Sequence, residues 1–428
     1  MARVRKSTRT ETAKHWNVGI YIRLSREDKE KEEEQTGNRR GKRKGPQNVA
    51  NDSSGSIVEQ DKILTEWVED YFREEHYTVV EYFTDDGLTG TDDTRDDFQR
   101  MMERKNQVVK TLVNGVQWLM KKNKIEVLTG DADLVSDHQV SVNGNIIEGH
   151  HIIIAVGSSP AIIPIPGANG STVITSDDAL SLDKIPETMA IIGGGVIGIE
   201  MATFFQGLGC KVTIIEMLDR LAPMMDKEIS VFLAEMLKKQ GVQIFTGARV
   251  ESIDDGTVTY NHNNTAHTLP AAAVLMSVGR RSNGLSLSLD KIGIKHEKGI
   301  IQTDNRMRTN IPNIYAIGDV NGKYMLAHVA SAEGVVAIEN IMGNDRTMEY
   351  TAVPQCIYTS PEAASVGMTE EQAIKEGRQI KISKIPLAAN GKALAEGYTQ
   401  GFIKVIADSA NSRFLGVHIV APHATDMI

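Results

Sequence analysis

Residues 191–200 read Ile191-Ile192-Gly193-Gly194-Gly195-Val196-Ile197-Gly198-Ile199-Glu200. The spacing of Gly193, Gly195 and Gly198 is G-x-G-x-x-G, which predicts a strand, a tight turn and a helix. In such a turn the first glycine allows the bend, the second admits a pyrophosphate, and the third lets helix and strand pack closely. The helix N-terminus presents free N–H groups to the phosphate oxygens. The stretch predicts a dinucleotide site, and a purely structural glycine turn is the alternative.

A second apolar strand follows this turn and ends at an acidic residue. The strand is predicted over 211–215, and Glu216 comes directly after it, within the span of about twenty residues expected for a ribose-binding acid. A carboxylate at that position accepts hydrogen bonds from the ribose 2′-hydroxyl and repels a 2′-phosphate. The pattern therefore favours NAD over NADP.

Composition places the chain among globular proteins. Its 428 residues are 41% hydrophobic and 24% charged, enough for two or three domains. No apolar run approaches the roughly 20 residues of a membrane span, and no secretory signal is evident, so a cytoplasmic location without membrane attachment is expected. The two cysteines, Cys210 and Cys356, exclude a disulfide scaffold and a cysteine-based zinc site, and no metal site is predicted.

Charge is distributed unevenly along the chain. Residues 1–50 carry 14 Lys and Arg against 7 Asp and Glu, whereas residues 51–104 carry 5 against 16. The charged segment 26–51 has almost no apolar residue to bury and predicts a loop. A strand over 18–25 precedes it, a helix capped by Ser56 follows it, and a second strand is predicted over 77–83.

Three groups of residues in the N-terminal segment carry a resemblance to a known family. They are Tyr21-Ile22-Arg23-Leu24-Ser25, Ser56-Ile57 with Gln60, and Phe83-Thr84-Asp85-Asp86-Gly87 through Arg95 and Phe98. Over about 18–102 they resemble the start of a serine recombinase catalytic domain of the resolvase and integrase type. The resemblance implies a nucleophile at Ser25 and a phosphate-holding arginine at Arg23. Because nothing after Met102 matches the rest of that domain, a remnant is expected, and DNA is a partner only if this segment functions.

From residue 105 the sequence changes character. Apolar residues recur at helical spacing over 107–121, and strands are predicted over 125–128, 139–142, 146–148 and 152–156. The last of these strands leads into the turn Gly157-Ser158-Ser159-Pro160. Further on, an apolar strand ends in Gly318-Asp319, which places a carboxylate at a strand's carboxyl end, where ligands bind in α/β sheets.

Taken with the glycine turn, these motifs resemble the pyridine nucleotide–disulfide oxidoreductases of the dihydrolipoamide (dihydrolipoyl) dehydrogenase type over about 106–428. The resemblance implies NAD and FAD as cofactors. Because the family's first flavin-binding G-x-G-x-x-G unit has no match in this sequence, a reduced affinity for FAD is expected. For NAD it implies contacts from the glycine turn, from Glu200 near the nicotinamide, from Glu216 at the ribose, from Val250 at the adenine and from Gly279. In full, the expected NAD residues are Gly193, Gly194, Gly195, Val196, Ile197, Gly198, Ile199, Glu200, Glu216, Val250 and Gly279. The expected FAD residues are Val156, Gly157, Ser158, Asp319, Met325, Leu326, Ala327 and His328. Ser282 stands where the family usually has proline, and a looser turn is expected there.

The resemblance also implies a homodimer and a lipoyl-protein substrate. Residues 353–367 look like the start of the family's dimerisation domain, whose later His-Pro segment has no match in this sequence. The family's redox pair needs two cysteines separated by four residues on one helix. Cys210 and Cys356 do not have that spacing, and His328, His418 and His423 do not match the catalytic base.

The predicted fold class is α/β: a Rossmann-like NAD domain with a partial FAD domain and a truncated α+β dimerisation domain, preceded by a partial resolvase-like α/β segment. The expected domains are 1–104 (recombinase-like), 105–182 (partial FAD), 183–285 (NAD), 286–347 (FAD, C-terminal part) and 348–428 (truncated dimerisation). Four hypotheses remain open. They are a dihydrolipoyl dehydrogenase-like flavoprotein without retained disulfide chemistry, a site-specific recombinase fragment, a non-catalytic NAD-binding module, and a join of two unrelated sequences at Arg104-Lys105.

Overall fold

The computed structural model describes the backbone of residues 15–23, 76–85 and 96–428, and the side chains from Phe98 onward. The chain forms two compact units, residues 1–90 and 91–428. In chain order the strands are β1 (His15–Arg23), β2 (His76–Asp85), β3 (Ala132–Leu134), β4 (Gln139–Val142), β5 (Asn145–Glu148), β6 (Ile152–Ile154), β7 (Ser158–Pro160), β8 (Val173–Ile174), β9 (Thr188–Ile192), β10 (Lys211–Ile215), β11 (Gln243–Phe245), β12 (Ala248–Asp254), β13 (Thr257–His262), β14 (Thr265–Pro270), β15 (Ala273–Met276), β16 (Arg280–Ser282), β17 (His296–Glu297), β18 (Ile300–Ile301), β19 (Ile314–Ala316), β20 (Gln355–Ile357), β21 (Glu362–Gly367), β22 (Ile380–Pro386), β23 (Phe402–Asp408) and β24 (Phe414–Ala421). The helices are α1 (Asp96–Lys122), α2 (Ser176–Ala179), α3 (Val196–Gly207), α4 (Lys227–Lys239), α5 (Ala327–Ile341), α6 (Glu370–Lys375), α7 (Gly391–Ala395) and α8 (Ala424–Met427).

A five-stranded sheet in the order β11-β10-β9-β15-β8 carries the glycine turn, and all its neighbouring strands are parallel. We call this sheet with α3 and α4 the parallel layer. Its strands are apolar throughout because both faces are covered; Ala190, Ile191 and Ile214 are fully buried. Helices α3 and α4 supply the crossovers from β9 to β10 and from β10 to β11. The α/β prediction is confirmed.

Helix α4 shows how local sequence sets its own ends. Asp226 caps its N-terminus, where Oδ1 accepts the Glu228 N–H at 3.1 Å, and such a cap contributes about 1 kcal/mol. Lys238 and Lys239 in the last turn complement the helix dipole. Residues such as Ile229 and Leu233 are fully buried against the parallel sheet. Asp226 and Gln240 are therefore the two caps of this helix.

The C-terminal sheet is antiparallel, in the order β20-β21-β24-β23-β22. It shares a buried core with the parallel layer, to which Ile357, Phe402 and Val420 contribute. The rings of Phe232 on α4 and Phe402 on β23 meet edge to face, with 6.2 Å between their centroids. This sheet therefore packs on α4 and supports the parallel layer from one side.

Smaller sheets complete the second unit. Strands β19 and β6 pair in parallel, with Ile314 opposite Ile152, above a core shared with the β3-β4-β5 sheet. Strands β12-β13-β14 form an antiparallel meander, and β16 pairs with β7 and β17 with β18 as antiparallel ribbons. The β16–β7 ribbon joins the end of the parallel layer to the turn after β6.

Helix α1 is longer than predicted and its apolar side chains are exposed. The predicted helix is present and extends over 27 residues, so that the expected domain boundary at 104/105 falls inside it. Its apolar side chains are 45% to 65% exposed: Val108, Val109, Leu112, Val113, Val116 and Leu119. The strand predicted over 125–128 is wrong; those residues pair with no described strand, and an apolar run without a partner strand stays irregular.

In the first unit, β1 and β2 pair in parallel, with Tyr21 opposite Phe83 and an irregularity between Val18 and Gly19. Strands predicted at these two places are confirmed. Arg23 ends β1, whereas Ser25 and the helix expected from Ser56 lie outside the described residues. None of the described helices is both long and apolar enough to cross a lipid bilayer.

Candidate functional site

The glycine turn between β9 and α3 is shaped by close backbone contacts. Gly193 has φ +105°, a conformation that favours glycine, and a Cβ there would strike the Ser277 carbonyl. A Cβ on Gly198 would strike the Gly193 carbonyl and lie 2.9 Å from Ser277 Oγ. Ser277 Oγ in turn donates toward the Ile192 and Gly193 carbonyls at 3.0 and 2.9 Å. Both glycines are therefore required by packing at the end of β9.

Gly195 differs because no atom lies within 4 Å of the position that its Cβ would take. It is the N-cap of α3, and no side chain caps the helix. The first intrahelical bond runs from the Ile199 N–H to the Gly195 carbonyl at 3.0 Å, so the N–H groups of Val196 and Ile197 precede it. Ile199 is fully buried. The open side of Gly195, together with these N–H groups, fits a pyrophosphate.

Glu216 lies directly beside this turn. Its Oε2 accepts the Gly194 N–H at 2.5 Å and its Oε1 accepts the Leu218 N–H at 2.7 Å, and the residue is only 7% exposed. Each carboxylate oxygen keeps a further lone pair, so the group can still accept ribose hydroxyls. The two backbone hydrogen bonds hold the carboxylate at the position where the dinucleotide motif predicts the ribose.

Val250 and Glu200 are two further expected NAD residues, on β12 and α3 respectively. Val250 on β12 is 6% exposed and belongs to the buried cluster of Ala190 and Ile215, so its contact with adenine stays a prediction. Glu200 on α3 accepts the Tyr358 N–H at 2.9 Å through Oε1. Burial raises the pKa of the Glu200 carboxyl, opposed by this hydrogen bond. Glu200 therefore connects α3 to the C-terminal sheet.

The segment 277–280 joins the dinucleotide turn to the expected flavin residues. Ser277 contacts Gly193, as described, and Gly279 has φ +112° with open space beside it. The Ala161 N–H donates to the Gly279 carbonyl at 2.9 Å, and β16 pairs with β7 directly after it. Three residues of extended chain span about 10 Å, so the two sets of residues are near neighbours.

Asp319 forms the polar centre of the second set. Ser158 Oγ donates to Asp319 Oδ2 at 2.5 Å, and Arg280 Nε donates to Ser158 Oγ at 2.7 Å. Arg280 Nη2 also donates to the Ser158 carbonyl at 2.9 Å, and its Nε lies 3.9 Å from Asp319 Oδ2. A Cβ at Gly157 would meet open space, and Val156 is 38% exposed. These residues fit a hydroxyl-bearing chain of a flavin, with the Asp319 carboxylate as acceptor beside Arg280, a residue that the sequence motifs did not indicate.

A buried carboxylate holds the turn that carries Asp319. Glu333 is fully buried, and its Oε2 accepts the Gly318 N–H at 2.6 Å and Asn321 Nδ2 at 2.8 Å. Tyr350 Oη donates to Glu333 Oε1 at 2.6 Å. Burial and this hydrogen bond to the carboxylate raise the pKa of Tyr350. The only sequence signal for Glu333 was an acidic residue on the apolar face of α5.

Helix α5 begins at Ala327, and its N-cap Leu326 makes no side-chain cap. Met325 is 36% exposed, which leaves apolar surface beside this helix end. His328 Nε2 lies 3.1 Å from the Pro354 carbonyl and so connects α5 to the segment before β20. The arrangement agrees with a ligand-facing helix end, and the flavin role of Met325, Leu326, Ala327 and His328 stays a prediction.

Ser282 was expected to loosen its turn, and that expectation is wrong. The residue is 3% exposed; its Oγ donates to the Gly299 carbonyl at 2.7 Å and accepts the Gly284 N–H at 3.1 Å. Asn283 adds a bond from Nδ2 to the Val156 carbonyl at 3.0 Å. The serine hydroxyl therefore supplies two bonds in place of the rigidity of a proline ring.

The two cysteines lie in different parts of the fold. Cys210 is buried before β10, and burial raises its pKa to about 12. Cys356 is half-buried on β20, where burial, followed by the charges of Glu362 and Glu200, raises its pKa. Both shifts disfavour the thiolate.

The two remaining histidines considered as bases are not equivalent. His418 is fully buried between Ser365 and the Met368 carbonyl, whereas the side chain of His423 is 80% exposed. Within the described part of the chain, no group of three or more His, Cys, Asp and Glu side chains is arranged to hold a metal ion.

Comparison with known proteins agrees with this geometry. Residues 47–334 match the pyridine nucleotide-disulphide oxidoreductase family, and residues 353–428 match its dimerisation domain. Dihydrolipoyl dehydrogenase of Bacillus subtilis (strain 168) is 42% identical over 351 residues, which cover 77% of this chain and 74% of the relative. Dihydrolipoyl dehydrogenase of Chlamydia pneumoniae is 40% identical over 337 residues, covering 78% and 73%.

A solved structure shows the same likeness. The HOCl-induced flavoprotein disulfide reductase RclA from Escherichia coli superposes with a TM-score of 0.70 at 31% identity and covers 77% of each chain. The recombinase resemblance of residues 18–102 has no support from these comparisons, and Ser25 with the Arg23 side chain lies outside the described part. The matches over 47–334 and 353–428, together with the parallel layer that carries the glycine turn, place this chain in the pyridine nucleotide-disulphide oxidoreductases, the family of FAD- and NAD-dependent flavoproteins that includes dihydrolipoyl dehydrogenase.

Proposed function

We propose that this chain is an NAD(H)-binding protein of the dihydrolipoyl dehydrogenase type that discriminates against NADP(H). The observation that carries the proposal is the Glu216 carboxylate, held by the Gly194 and Leu218 N–H groups beside the open face of Gly195. A buried anion at this position accepts ribose hydroxyls and repels a ribose phosphate. The pyrophosphate would lie at Gly195 and the first turn of α3.

Flavin binding is proposed at the neighbouring set of residues. Asp319, supported by Ser158 and Arg280, would accept hydrogen bonds from the ribityl chain, and Gly157 leaves room for its approach. The start of α5 would face the ring system. A bound flavin supplies two-electron exchange between the nicotinamide and a dithiol or disulfide.

We propose further that this chain alone does not turn over dihydrolipoamide, the substrate class suggested by the names of its relatives. Thiol–disulfide exchange requires a thiolate and a partner thiol within reach. Cys210 is buried with its pKa raised to about 12, and Cys356 lies in a different part of the fold. A homodimer through the C-terminal sheet is proposed from the dimerisation-domain match.

Cofactor binding is tested by titrating the purified full chain with NADH and NADPH and following nicotinamide fluorescence. We expect saturable NADH binding and at least about tenfold weaker NADPH binding, because the 2′-phosphate meets the Glu216 charge. Equal affinities, or no NADH binding, would overturn the proposal.

Catalytic capacity is tested separately on the same preparation. Flavin absorbance that copurifies with the chain supports the flavin site, and its absence after supplementation with FAD favours a non-catalytic NAD-binding module. NAD reduction driven by dihydrolipoamide would contradict the proposed lack of turnover. No observation in the described residues favours the recombinase alternative, and it is not proposed.

A further inference from the structure

The segment 217–223 lies directly against the glycine turn. The Leu218 N–H donates to Glu216 Oε1 at 2.7 Å, and the Ala222 N–H donates to the Gly194 carbonyl at 2.8 Å. Leu221 is 1% exposed, and its side chain fills the space where a Cβ on Gly194 would lie. The position of this segment therefore fixes both the Glu216 carboxylate and the backbone of Gly194.

Arg220, at the middle of the segment, forms an ion pair with Glu371 of α6, the helix that follows β21 of the C-terminal sheet. Its Nη1 donates to Glu371 Oε1 at 2.8 Å and its Nη2 to Glu371 Oε2 at 2.7 Å, the paired geometry in which guanidinium and carboxylate bind most specifically. Nη2 also donates to the Pro223 carbonyl at 3.3 Å, within the same segment. The two side chains are 25% and 45% exposed.

Glu371 lies on α6, which is itself anchored. Thr369 and Gln372 form a capping box at its N-terminus, and the Glu370 N–H donates to Asp226 Oδ2 at 3.1 Å. The segment from Arg220 to Asp226 thus contacts the start of α6 through both its first and its last residue. A movement of α6 relative to the parallel layer would be passed to the segment 217–223 and to the ribose-recognition carboxylate.

We propose that Arg220 and Glu371 are positioning residues for NAD, and we call their ion pair the clasp. Through this pair, α6 sets the affinity of the glycine turn for NAD and its preference for NAD over NADP. The inference rests on the proposed NAD site. Arg220 acts through Leu218 and Ala222 on Glu216 and Gly194, without contact with the dinucleotide being required. Since the pair is partly exposed to solvent, the effect on NADH affinity is modest, about two- to fivefold.

The test compares the full-length parent chain with Arg220→Gln, Glu371→Gln, Arg220→Lys and the double Gln variant, by NADH and NADPH titration. Each Gln variant is expected to weaken NADH binding and to narrow the NADH-to-NADPH affinity ratio. The double variant is expected to be no worse than either single variant, because the two side chains act as one unit. Arg220→Lys keeps the charge but loses the paired geometry and should lie between.

Arg306→Gln is the matched control, since it removes a comparable pair with Asp345 remote from the segment 217–223. Its NADH affinity and ratio should equal those of the parent, and urea midpoints show that the variants remain folded. The proposed role of the clasp would be overturned, with the proposed NAD site left standing, by either of two results. One is an unchanged NADH affinity and NADH-to-NADPH affinity ratio in Arg220→Gln; the other is additive losses of NADH affinity in the double variant. If the parent chain binds no NADH, the proposed function fails, and the clasp fails with it.

Discussion

The ammonium of Lys404 lies 2.9 and 3.1 Å from the two carboxylate oxygens of Asp226, and both side chains are almost completely buried. Lys404 Nζ also lies 2.6 Å from Glu370 Oε2. Asp226 begins α4 in the parallel layer, and Lys404 lies on β23 of the C-terminal sheet. One buried ion pair therefore connects two layers whose sequences are 178 residues apart.

Lys404→Met should destabilise the fold strongly. It leaves the Asp226 carboxylate buried without its cation, and breaking such a pair typically costs about 3–5 kcal/mol. The free energy of unfolding from urea titration measures the loss. Lys392→Met, which removes an exposed pair with Glu396, serves as the control and should leave the unfolding midpoint unchanged. Similar small losses in both variants would contradict a structural role for the buried pair.

Stability should fall as the pH is lowered from 7 to 5, because of His418. Burial lowers the pKa of this imidazole, and Lys404 lowers it further, although Asp226, Glu228 and the Met368 carbonyl oppose the shift. A histidine whose folded pKa is depressed contributes full stability above its unfolded value of 6.5, and loses it as pH falls below that value.

His418→Gln should flatten the dependence of the unfolding free energy on pH in this window. The control is His138→Gln, because the side chain of His138 is 53% exposed. An unchanged slope in His418→Gln would refute the assignment. Asp226 does not titrate in this pH window. Although burial opposes its ionisation, Lys404 and two backbone N–H groups hold its pKa below 3.8. Its contribution to the unfolding free energy is therefore lost only in stronger acid.

Gly198→Ala should weaken NADH binding at least about tenfold, because the new methyl group would push α3 away from the Gly193 carbonyl and Ser277. Gly207→Ala on the same helix is a matched control, since its Cβ would meet open space. That control should keep the NADH affinity of the parent and change stability by no more than about 1 kcal/mol. If the two variants bind NADH equally well, close packing at Gly198 is unimportant for the site.

Glu216→Gln should reduce the discrimination against NADPH by about tenfold, since it removes the charge; NADH affinity should also fall, because the amide keeps only one acceptor oxygen for the Gly194 and Leu218 N–H groups. The ratio of NADPH to NADH dissociation constants measures the effect. Glu251→Gln, an exposed acidic residue on the neighbouring strand β12, provides a charge-matched control. An unaltered ratio in Glu216→Gln would show that other groups select the cofactor.

Sequence predicted the features that depend on local spacing. The bend at Gly193, the strand before Glu216, and Asp319 after an apolar strand all follow from residues that are close together in sequence. The missed features join distant residues. Arg280 meets Ser158 across 122 positions, and no local pattern encodes that contact. The strand predicted over 125–128 failed for the same reason, because an apolar run becomes a strand only where another strand pairs with it.

The difference between the two cysteines has a practical consequence. Burial raises the pKa of Cys210 to about 12, whereas Cys356 is only partly covered and lies on the strand next to Tyr358, whose N–H binds Glu200. Both thiols have a raised pKa, but Cys356 is the more accessible of the two, so a maleimide dye added at mildly alkaline pH is expected to react there first. The native chain thus carries an attachment point for a fluorescent reporter close to Glu200, the residue proposed to lie near the nicotinamide.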